Sequence, residues 1–155
     1  MIRTWRNSAS VKRWLYGKHF ITPEEHRRFV KNLKYDYRNA YWLVKNQGDE
    51  YLGVIYLNRI DFENRNSYFG IYTNPGSKLS GKGKTLLGCL IYLVFEYAGF
   101  HTLKLEVIED NSRAIAFYKK FGFKREGRLK EFVFKEGRWK DVIVMGAINP
   151  NIGSR

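Results

Sequence analysis

The sequence has only one cysteine, Cys89, and three prolines among its 155 residues. One cysteine excludes an internal disulfide framework and a metal site built from cysteines alone, and we expect Cys89 to be an ordinary core residue. No apolar run approaches the roughly 18 residues of a membrane span, and the first residues lack the apolar stretch of a secretory signal. No group of His, Cys or acidic residues has the spacing of metal ligands. These absences indicate a reduced, cytoplasmic domain with no metal site and no membrane segment.

Acidic residues are scarce beside basic ones, with 15 Asp and Glu against 28 Lys and Arg, a formal net charge of +13. Such an excess favours an anionic partner. Nucleic acid is one candidate, and a phosphate-rich small molecule or a nucleotide-linked substrate is another. Because the positive residues are dispersed along the chain and form no single stripe, we expect nucleic-acid binding to be the less favoured of these.

The length suits one domain, residues 1–155, and the pattern of apolar and turn residues predicts an α+β domain on one sheet. We predict an antiparallel meander in the first half, a long helix in the middle, and a β-hairpin before a tail that starts near residue 147. The predicted elements are helices at 10–16 and from Pro23 (capped by Thr22), strands at 41–45, 51–60 and 67–73, a helix at 83–98 ended by Gly99, a strand at 103–108, a helix from Asn111 or Ser112 to 121, and strands at 132–134 and 139–145.

A glycine-bearing loop at 75–84 precedes the long helix. Gly81 and Gly83 allow the backbone to approach a ligand, and the N–H groups and dipole of the helix start suit a phosphate or pyrophosphate. The loop fails the Walker A pattern because Gly83 replaces the Ser or Thr that holds Mg²⁺, and it fails the Rossmann pattern because Leu86 replaces the third glycine. It fits the pattern Q/R-x-x-G-x-G/A, with Lys78 as the basic first residue. A surface turn is the plainer alternative.

A second motif lies downstream, where a strand is followed by Asn111, Ala114, Tyr118 and Gly122-Phe123 in the order N-x-x-A-x-x-x-Y-x-x-x-G-F. Together the two motifs resemble those of the GNAT N-acetyltransferases, and the resemblance extends over about residues 5–145. It implies the GNAT fold, in which a twisted, mostly antiparallel sheet carries helices on both faces and a splayed parallel strand pair holds acetyl-CoA.

The resemblance also implies roles for individual residues. Tyr118 would be the general acid that protonates the departing thiolate, although packing in the core is the alternative. Glu106 alternates out of the apolar face of its strand and is our first candidate for the base, acting through water, or for a group that orients the acceptor. His19 and His26 are less favoured as bases. We expect no metal to take part.

Acetyl-CoA is expected to contact the strand before the loop, the loop itself and the helix of the second motif. Arg113 or Lys119 would meet the 3′-phosphate, and Asn111 would cap its helix, bond the pantetheine, or do both. The residues implied in coenzyme binding are Ile71, Tyr72, Thr73, Lys78, Leu79, Ser80, Gly81, Lys82, Gly83, Lys84, Asn111, Arg113, Ala114, Tyr118 and Lys119.

The flanking segments are similar to the branch of this family that acts on nucleotide-linked amino sugars in pseudaminic acid biosynthesis. They are Trp5-Arg6-Asn7, His26-x-x-Phe29, 70–75 and 126–130. This similarity implies transfer to the 4-amino group of a UDP-linked 4-amino-4,6-dideoxy sugar, in a pathway that serves flagellin glycosylation. Leu15, Tyr16 and Phe29 would then seat the 6-deoxy methyl group beside Glu106, unless they are only the core of a helical hairpin.

Other hypotheses stay open at this stage. One is acetylation of a protein N-terminus, as by the ribosomal-protein enzymes, or of a polyamine, although cationic acceptors suit a basic surface poorly. A remote one is a nucleic-acid-binding module without activity. A homodimer is compatible with the sequence. The family's usual first strand is missing or reduced to residues 2–5. This leaves open which strand forms that edge of the sheet and whether the true start codon lies upstream.

Overall fold

A computed structural model describes residues 1–152, which form five α-helices, one π-helical segment and six β-strands. Three helices and three strands come first, two helices then alternate with strands, and two consecutive strands end the order. The elements are α1 (Ile2–Asn7), α2 (Ala9–Lys12), α3 (Pro23–Leu33), β1 (Ala40–Lys45), β2 (Tyr51–Asp61), β3 (Asn66–Thr73), α4 (Lys82–Ile91) continued by the π-helical Tyr92–Tyr97, β4 (Thr102–Ile108), α5 (Ser112–Lys120), β5 (Lys124–Lys135) and β6 (Arg138–Ile148).

The six strands form one mixed sheet in the order β1-β2-β3-β4-β6-β5. The first three strands form the predicted antiparallel meander, β3 and β4 run parallel, and β4, β6 and β5 are antiparallel. The predicted mixed α+β fold is therefore confirmed.

Capping residues set where two of the helices begin. The Thr22 side chain accepts a hydrogen bond from Glu25 N–H while the Glu25 carboxylate accepts one from Thr22 N–H, which is a complete capping box with Pro23 at the first position. Asn111 caps α5 by accepting from Ala114 N–H. Asn111 is thus the cap of this helix, and Ser112 is its first residue.

Apolar side chains cover both faces of the sheet. On one face, α4, α5 and the strands share the main core, whose side chains from Leu86, Leu87, Leu90 and Leu103 are fully buried. On the other face, a smaller core contains Trp5, Val54 and Tyr72, with partly buried partners from α1, α2 and β1. Burial of leucines of this size is worth about 1.5–3 kcal/mol each, so α4 is held chiefly by its apolar face.

The parallel pair β3 and β4 separates soon after it begins. Only residues 66–68 and 102–104 are paired between these strands. In contrast, β3 stays paired with β2 as far as Thr73, and β4 stays paired with β6 as far as Ile108. A gap therefore opens inside the sheet, between two halves that are each fully hydrogen-bonded on their outer sides.

The predicted helix at 83–98 changes type part way along. It is α-helical only to Ile91 and then π-helical, with Ala98 N–H bonded to Leu93 O. Gly99, at φ +66°, ends it as predicted. Val94 and Phe95 are buried, as the apolar spacing of this segment indicates, whereas the change to a π-helical turn leaves no mark on that spacing. The prediction that Cys89 is a core residue is wrong, because Cys89 is exposed.

The ends of the chain also differ from the predictions. Residues 2–5, the alternative short first strand, lie in helix α1, and the predicted helix at 10–16 is the shorter α2. Strand β5 is longer than 132–134, because a bulge between Leu129 and Val133 lets one strand continue through the turn-like residues. The predicted tail begins too early, since β6 runs to Ile148. Residues 153–155 of that tail lie outside the described part.

Asn149, which follows β6, is buried and joins three parts of the structure. Its Nδ2 donates to the carbonyl oxygens of Phe95 and Phe100 at 3.1 and 2.9 Å, and its N–H donates to His101 O at 2.8 Å. The Phe95 carbonyl lies in the last turn of the π-helical segment, where a helix leaves its acceptors unpaired, and the Phe100 carbonyl lies in the turn that follows. Asn149 therefore acts as a side-chain cap for that end.

We expect Asn149→Ala to lower the free energy of unfolding by about 1–3 kcal/mol, because two buried carbonyl groups lose their donor. Chemical denaturation monitored by circular dichroism measures the change. The matched control is Asn151→Ala, whose side chain makes an exposed contact with Glu96 and should cost less than about 0.5 kcal/mol. Equal stability of the two variants would contradict the capping role.

Candidate active site

Two adjoining cavities open at the gap in the sheet. The larger, of about 550 Å³, lies between β3 and β4 and reaches the start of α4 and one side of α5. The smaller, of about 290 Å³, lies under the segment 14–17 that follows α2. Both are lined by Trp14, Leu15, Tyr56, Phe69, Tyr72 and Glu106. A reaction between two ligands, one in each cavity, would therefore take place beside these shared residues.

The larger cavity brings together most of the predicted coenzyme contacts. From β3 it receives residues 71–73, and from the opposite side it receives part of α5. Because β3 and β4 are not paired here, backbone groups along this edge are free to bond an extended ligand. The predicted coenzyme residues that line it are Ile71, Tyr72, Thr73, Gly81, Gly83, Lys84, Asn111, Arg113, Ala114 and Tyr118.

The start of α4 has the features of an anion site. Its cap, Gly81, has φ +72° and supplies no side-chain hydrogen bond, whereas α3 and α5 are both capped by side chains. The N–H groups of the first turn therefore remain available, together with the positive end of the helix dipole. Gly81, Gly83 and Lys84 line the cavity, so a pyrophosphate there would fit the residues present.

The loop before α4 is held by one of its own lysines. Lys82 Nζ donates to Asn74 O at 3.0 Å and also to Ser77 O, so this side chain stabilises the loop. The predicted contacts Lys78, Leu79 and Ser80 are exposed loop residues that do not line the cavity. Lys119 on α5 is also exposed and does not line the cavity. Of the two candidates for the 3′-phosphate, only Arg113 lines the cavity.

Tyr118 lies on α5 with its ring buried and lines the larger cavity. The ring packs edge-on against Phe69, Phe117 and Phe123, with centroid separations of 5.8, 5.3 and 5.8 Å. Burial raises the pKa of its phenol above the ordinary value of about 10. The hydroxyl therefore keeps its proton in the physiological range, as a general acid must.

Glu106 projects from β4 into both cavities, and its two carboxylate oxygens are occupied by different partners. Tyr16 Oη donates to Oε2 at 2.7 Å, and Arg59 Nη1 donates to Oε1 at 2.7 Å. The Glu106 side chain is 12% exposed. A carboxylate has about four lone-pair positions, so these two bonds leave room for a water molecule or for the acceptor.

Only part of the predicted acceptor pocket is present in the structure. Leu15 and Tyr16 line the smaller cavity, and burial, followed by the bond to Glu106, raises the pKa of Tyr16. Phe29 does not line either cavity, so its predicted role in seating the acceptor is not supported by the geometry. Its ring packs at right angles against Tyr41, 5.1 Å away. Tyr41 lies between α3 and the cavity and takes the place predicted for Phe29.

Several residues of the smaller cavity were missed from the sequence. Tyr41 and Tyr56 stack 5.1 Å apart and share this wall with Tyr68 and Tyr72. Their alternation along three strands could have indicated a common face, but eleven tyrosines in the chain obscure that signal. Arg59 is a further residue of this lining that was missed.

Two polar atoms in this cavity have no partner within residues 1–152. They are Nε of Arg6 and Oδ1 of Asn58, and both are buried. Buried polar side-chain atoms are normally hydrogen-bonded, so these two leave hydrogen-bonding capacity unused beside the cavity. One offers a donor and the other an acceptor, which suits an acceptor substrate with hydroxyl or amide groups. Neither His19 nor His26 lines a cavity.

Within residues 1–152, no group of three or more His, Cys, Asp or Glu side chains could hold a metal ion. None of the helices described combines the length and the apolar character needed to cross a membrane.

An open helix start beside a splayed parallel pair, with a buried tyrosine facing the gap, is the arrangement of an acetyl-CoA-dependent N-acetyltransferase. Residues 8–123 match the sequence profile of the acetyltransferase (GNAT) family. The chain belongs to this family, as the two motifs predicted, and acetyl-CoA is its acetyl donor.

The chain is similar to several individual proteins, among them two acetyltransferases of different description. The chain is 32% identical over 134 residues to the acetyltransferase PseH of Campylobacter jejuni, covering 86% of this chain and 82% of that protein. It is 30% identical over 128 residues to the spermidine N(1)-acetyltransferase of Vibrio cholerae, covering 83% of this chain and 66% of that protein. The fold is similar to that of a Vibrio cholerae spermidine N-acetyltransferase in complex with CoA and spermine, with a TM-score of 0.89 and 23% identity over 96% of this chain and 88% of that one.

We expect Gly83→Val to weaken acetyl-CoA binding by about tenfold or more, about 1.4 kcal/mol, because the added side chain occupies the approach to the free N–H groups. The folded protein should tolerate it, since a Cβ at Gly83 meets only the Phe117 ring at 3.7 Å. Calorimetry measures the affinity. Gly88→Val is the matched control, because Gly88 lies exposed on the same helix with nothing within 4 Å of an added Cβ. Equal affinities would show that the loop is only a turn.

We expect Tyr118→Phe to lower turnover by about 10²–10⁴-fold, the usual contribution of general acid catalysis, with acetyl-CoA affinity nearly intact. Since the pKa of Tyr118 is raised, turnover of the unmodified enzyme should not fall through loss of this proton below about pH 10. Steady-state kinetics across pH measures both effects. Tyr92→Phe, at an exposed tyrosine, is the control. Turnover within a factor of two of the parent would reduce Tyr118 to a packing role.

Proposed function

We propose that this enzyme transfers the acetyl group of acetyl-CoA to the 4-amino group of a UDP-linked 4-amino-4,6-dideoxy sugar. The observation that carries the proposal is the chemistry of the smaller cavity, whose wall is largely aromatic and whose one carboxylate, Glu106, is already paired with Arg59. The 32% identity to the acetyltransferase PseH supports it, as does the resemblance of the flanking segments to enzymes of pseudaminic acid biosynthesis.

The cavity wall suits a deoxy sugar in shape and polarity. Rings of Trp14, Tyr41, Tyr56 and Tyr72 offer apolar surface to a sugar face and a methyl group, and a few polar groups are enough to fix orientation. The unpartnered Nε of Arg6 and Oδ1 of Asn58 would meet an acetamido or hydroxyl group. Of the predicted set, Leu15 and Tyr16 belong to the same wall, whereas Phe29 does not.

Charge favours an acceptor that carries phosphate. The chain has a net charge of +13, and the Arg59 side chain at the cavity wall is 55% exposed. A UDP diphosphate is attracted to such a surface, with most of the effect confined to about 8–10 Å by salt. A cationic acceptor would be repelled over the same range.

The reaction joins the acceptor nitrogen to the thioester carbon and breaks the carbon–sulfur bond. The acceptor amine must be neutral to attack, and a sugar amine is readily neutral because neighbouring oxygens withdraw electrons. We place Glu106 as the group that orients the amine and receives its proton through water. Tyr118 gives its proton to the departing thiolate and recovers one from solvent. The backbone of 71–73 would hold the pantetheine and position the acetyl carbonyl.

Polyamine acetylation is the second candidate, because the spermidine N(1)-acetyltransferase of Vibrio cholerae is 30% identical to this chain. The paired state of Glu106 disfavours it. The main proposal includes self-association, because a dodecameric structure is known for the spermidine N-acetyltransferase of Vibrio cholerae. It also includes a cytoplasmic location.

We expect kcat/KM for a UDP-4-amino-4,6-dideoxy sugar to exceed that for spermidine or a peptide amine by about 100-fold or more. Release of free thiol from acetyl-CoA, corrected for hydrolysis without acceptor, measures the rates. The same sugar without its UDP group is the control for the diphosphate and should be a poorer substrate. Efficient acetylation of spermidine or of a peptide N-terminus, with no activity on UDP-amino sugars, would overturn the proposal.

A further inference from the structure

Arg59 occupies an unusual position in the sheet. It lies in an irregularity of β2 between Asn58 and Asp61, with φ +52°. Non-glycine residues rarely adopt a positive φ, and bulges next to active sites re-aim a side chain. The Arg59 guanidinium lies over the Tyr68 ring, 4.3 Å from its centroid, and extends across β3 to Glu106 on β4. The bulge thus directs a surface arginine toward the acceptor cavity.

Its partner, Glu106, is the sole acidic residue that lines either cavity in the described part of the chain. Arg6 and Arg59 are the basic residues of the smaller cavity. Two arginines against one glutamate give these lining side chains a net charge of +1. Removal of Arg59 would lower this net charge to zero. It would also leave the largely buried carboxylate of Glu106 without its ion pair and facing the acceptor.

We propose that Arg59 is a specificity-determining residue that excludes polycationic amines by occupying the carboxylate of Glu106. This inference rests on the proposed function and deepens it, because it names the residue that separates a neutral or anionic acceptor from a polyamine. A free carboxylate in a site of low dielectric constant attracts an ammonium group strongly, whereas one already paired with a guanidinium attracts it much less. Specificity of this kind needs an element that opposes the wrong ligand, not only contacts to the right one.

The test measures the ratio of kcat/KM for spermidine to kcat/KM for glucosamine, an amino sugar without a nucleotide. We expect the ratio to rise about tenfold or more in Arg59→Gln. Arg59→Lys keeps the positive charge and should stay within about threefold of the parent. The gain should disappear in the double variant Arg59→Gln with Glu106→Gln, because the carboxylate that binds the polyamine is then missing.

Arg128→Gln is the matched control for overall charge. Like Arg59, Arg128 is ion-paired, in its case with Glu109 and Asp141, but it lines neither cavity. Its loss should therefore leave the ratio unchanged. A role for Arg59 in packing alone would lower both rates together and leave the ratio where it was. Arg59→Met, which keeps a long unbranched side chain beside Tyr68 without the charge, replaces the glutamine variant if that variant fails to fold. Calorimetric binding of spermidine still reports on a variant that has lost turnover.

A ratio that does not rise in Arg59→Gln, or that rises equally in the double variant, would overturn the proposal. The result is separate from the test of the proposed function, because neither probe is a nucleotide sugar. If the unmodified enzyme fails to acetylate UDP-amino sugars while the ratio still rises, the proposed substrate is wrong and the role of Arg59 stands. If UDP-amino sugars are substrates and the ratio stays constant, the role of Arg59 is wrong.

Discussion

The separation of β3 from β4 after residues 66–68 and 102–104 leaves backbone groups unpaired inside a sheet, which a protein normally avoids. The sheet tolerates this gap because β2 holds β3 to its end and β6 holds β4 to its end. The leucines of α4 pack against both halves in the main core. The unpaired edges are then available to a ligand that brings its own amides, as pantetheine does. The coenzyme cleft, the approach of Tyr118 and the projection of Glu106 all depend on this one interruption.

The acceptor side depends on a second restraint, the attachment of the segment after α2 to the β5–β6 hairpin. Lys135 on β5 is buried, and its Nζ donates to the carbonyl oxygens of Lys12 and Arg13, both at 3.0 Å. Burial lowers the pKa of this lysine, yet the two carbonyls at the end of α2 accept two of its three N–H groups. Since Trp14, Leu15 and Tyr16 follow directly, Lys135 fixes the residues that cover the smaller cavity. The hydrogen bond from Tyr16 to Glu106 holds the same covering segment to β4.

Local signals predicted what depends on local chemistry. The capping box at Thr22, the cap at Asn111, the meander and the glycine loop are each encoded within a few residues, and the structure contains them all. Features set by distant partners were missed. Asn149 looked like part of a polar tail because its acceptors, Phe95 and Phe100, are about 50 residues away. Phe29 has the right chemistry for the pocket, but α3 packs behind β1 and Tyr41 stands in front of it. Arg59 carried no sequence signal, because a bulge that turns a surface residue inward leaves no mark on hydrophobic periodicity.

The chain shares its family and its acetyl donor with relatives of several kinds, so neither property identifies the acceptor. The difference must lie in side chains that reach the smaller cavity, where electrostatic terms are larger than on the surface because water is partly excluded. The net charge of +13 acts from outside and is weakened by salt, whereas the Arg59–Glu106 pair acts at contact distance. Long-range charge can therefore raise the local concentration of an anionic substrate, but it cannot reject a polyamine already at the cavity. A group that occupies the carboxylate acts at that contact, and the sheet places Arg59 against Glu106 by accepting a positive φ in β2.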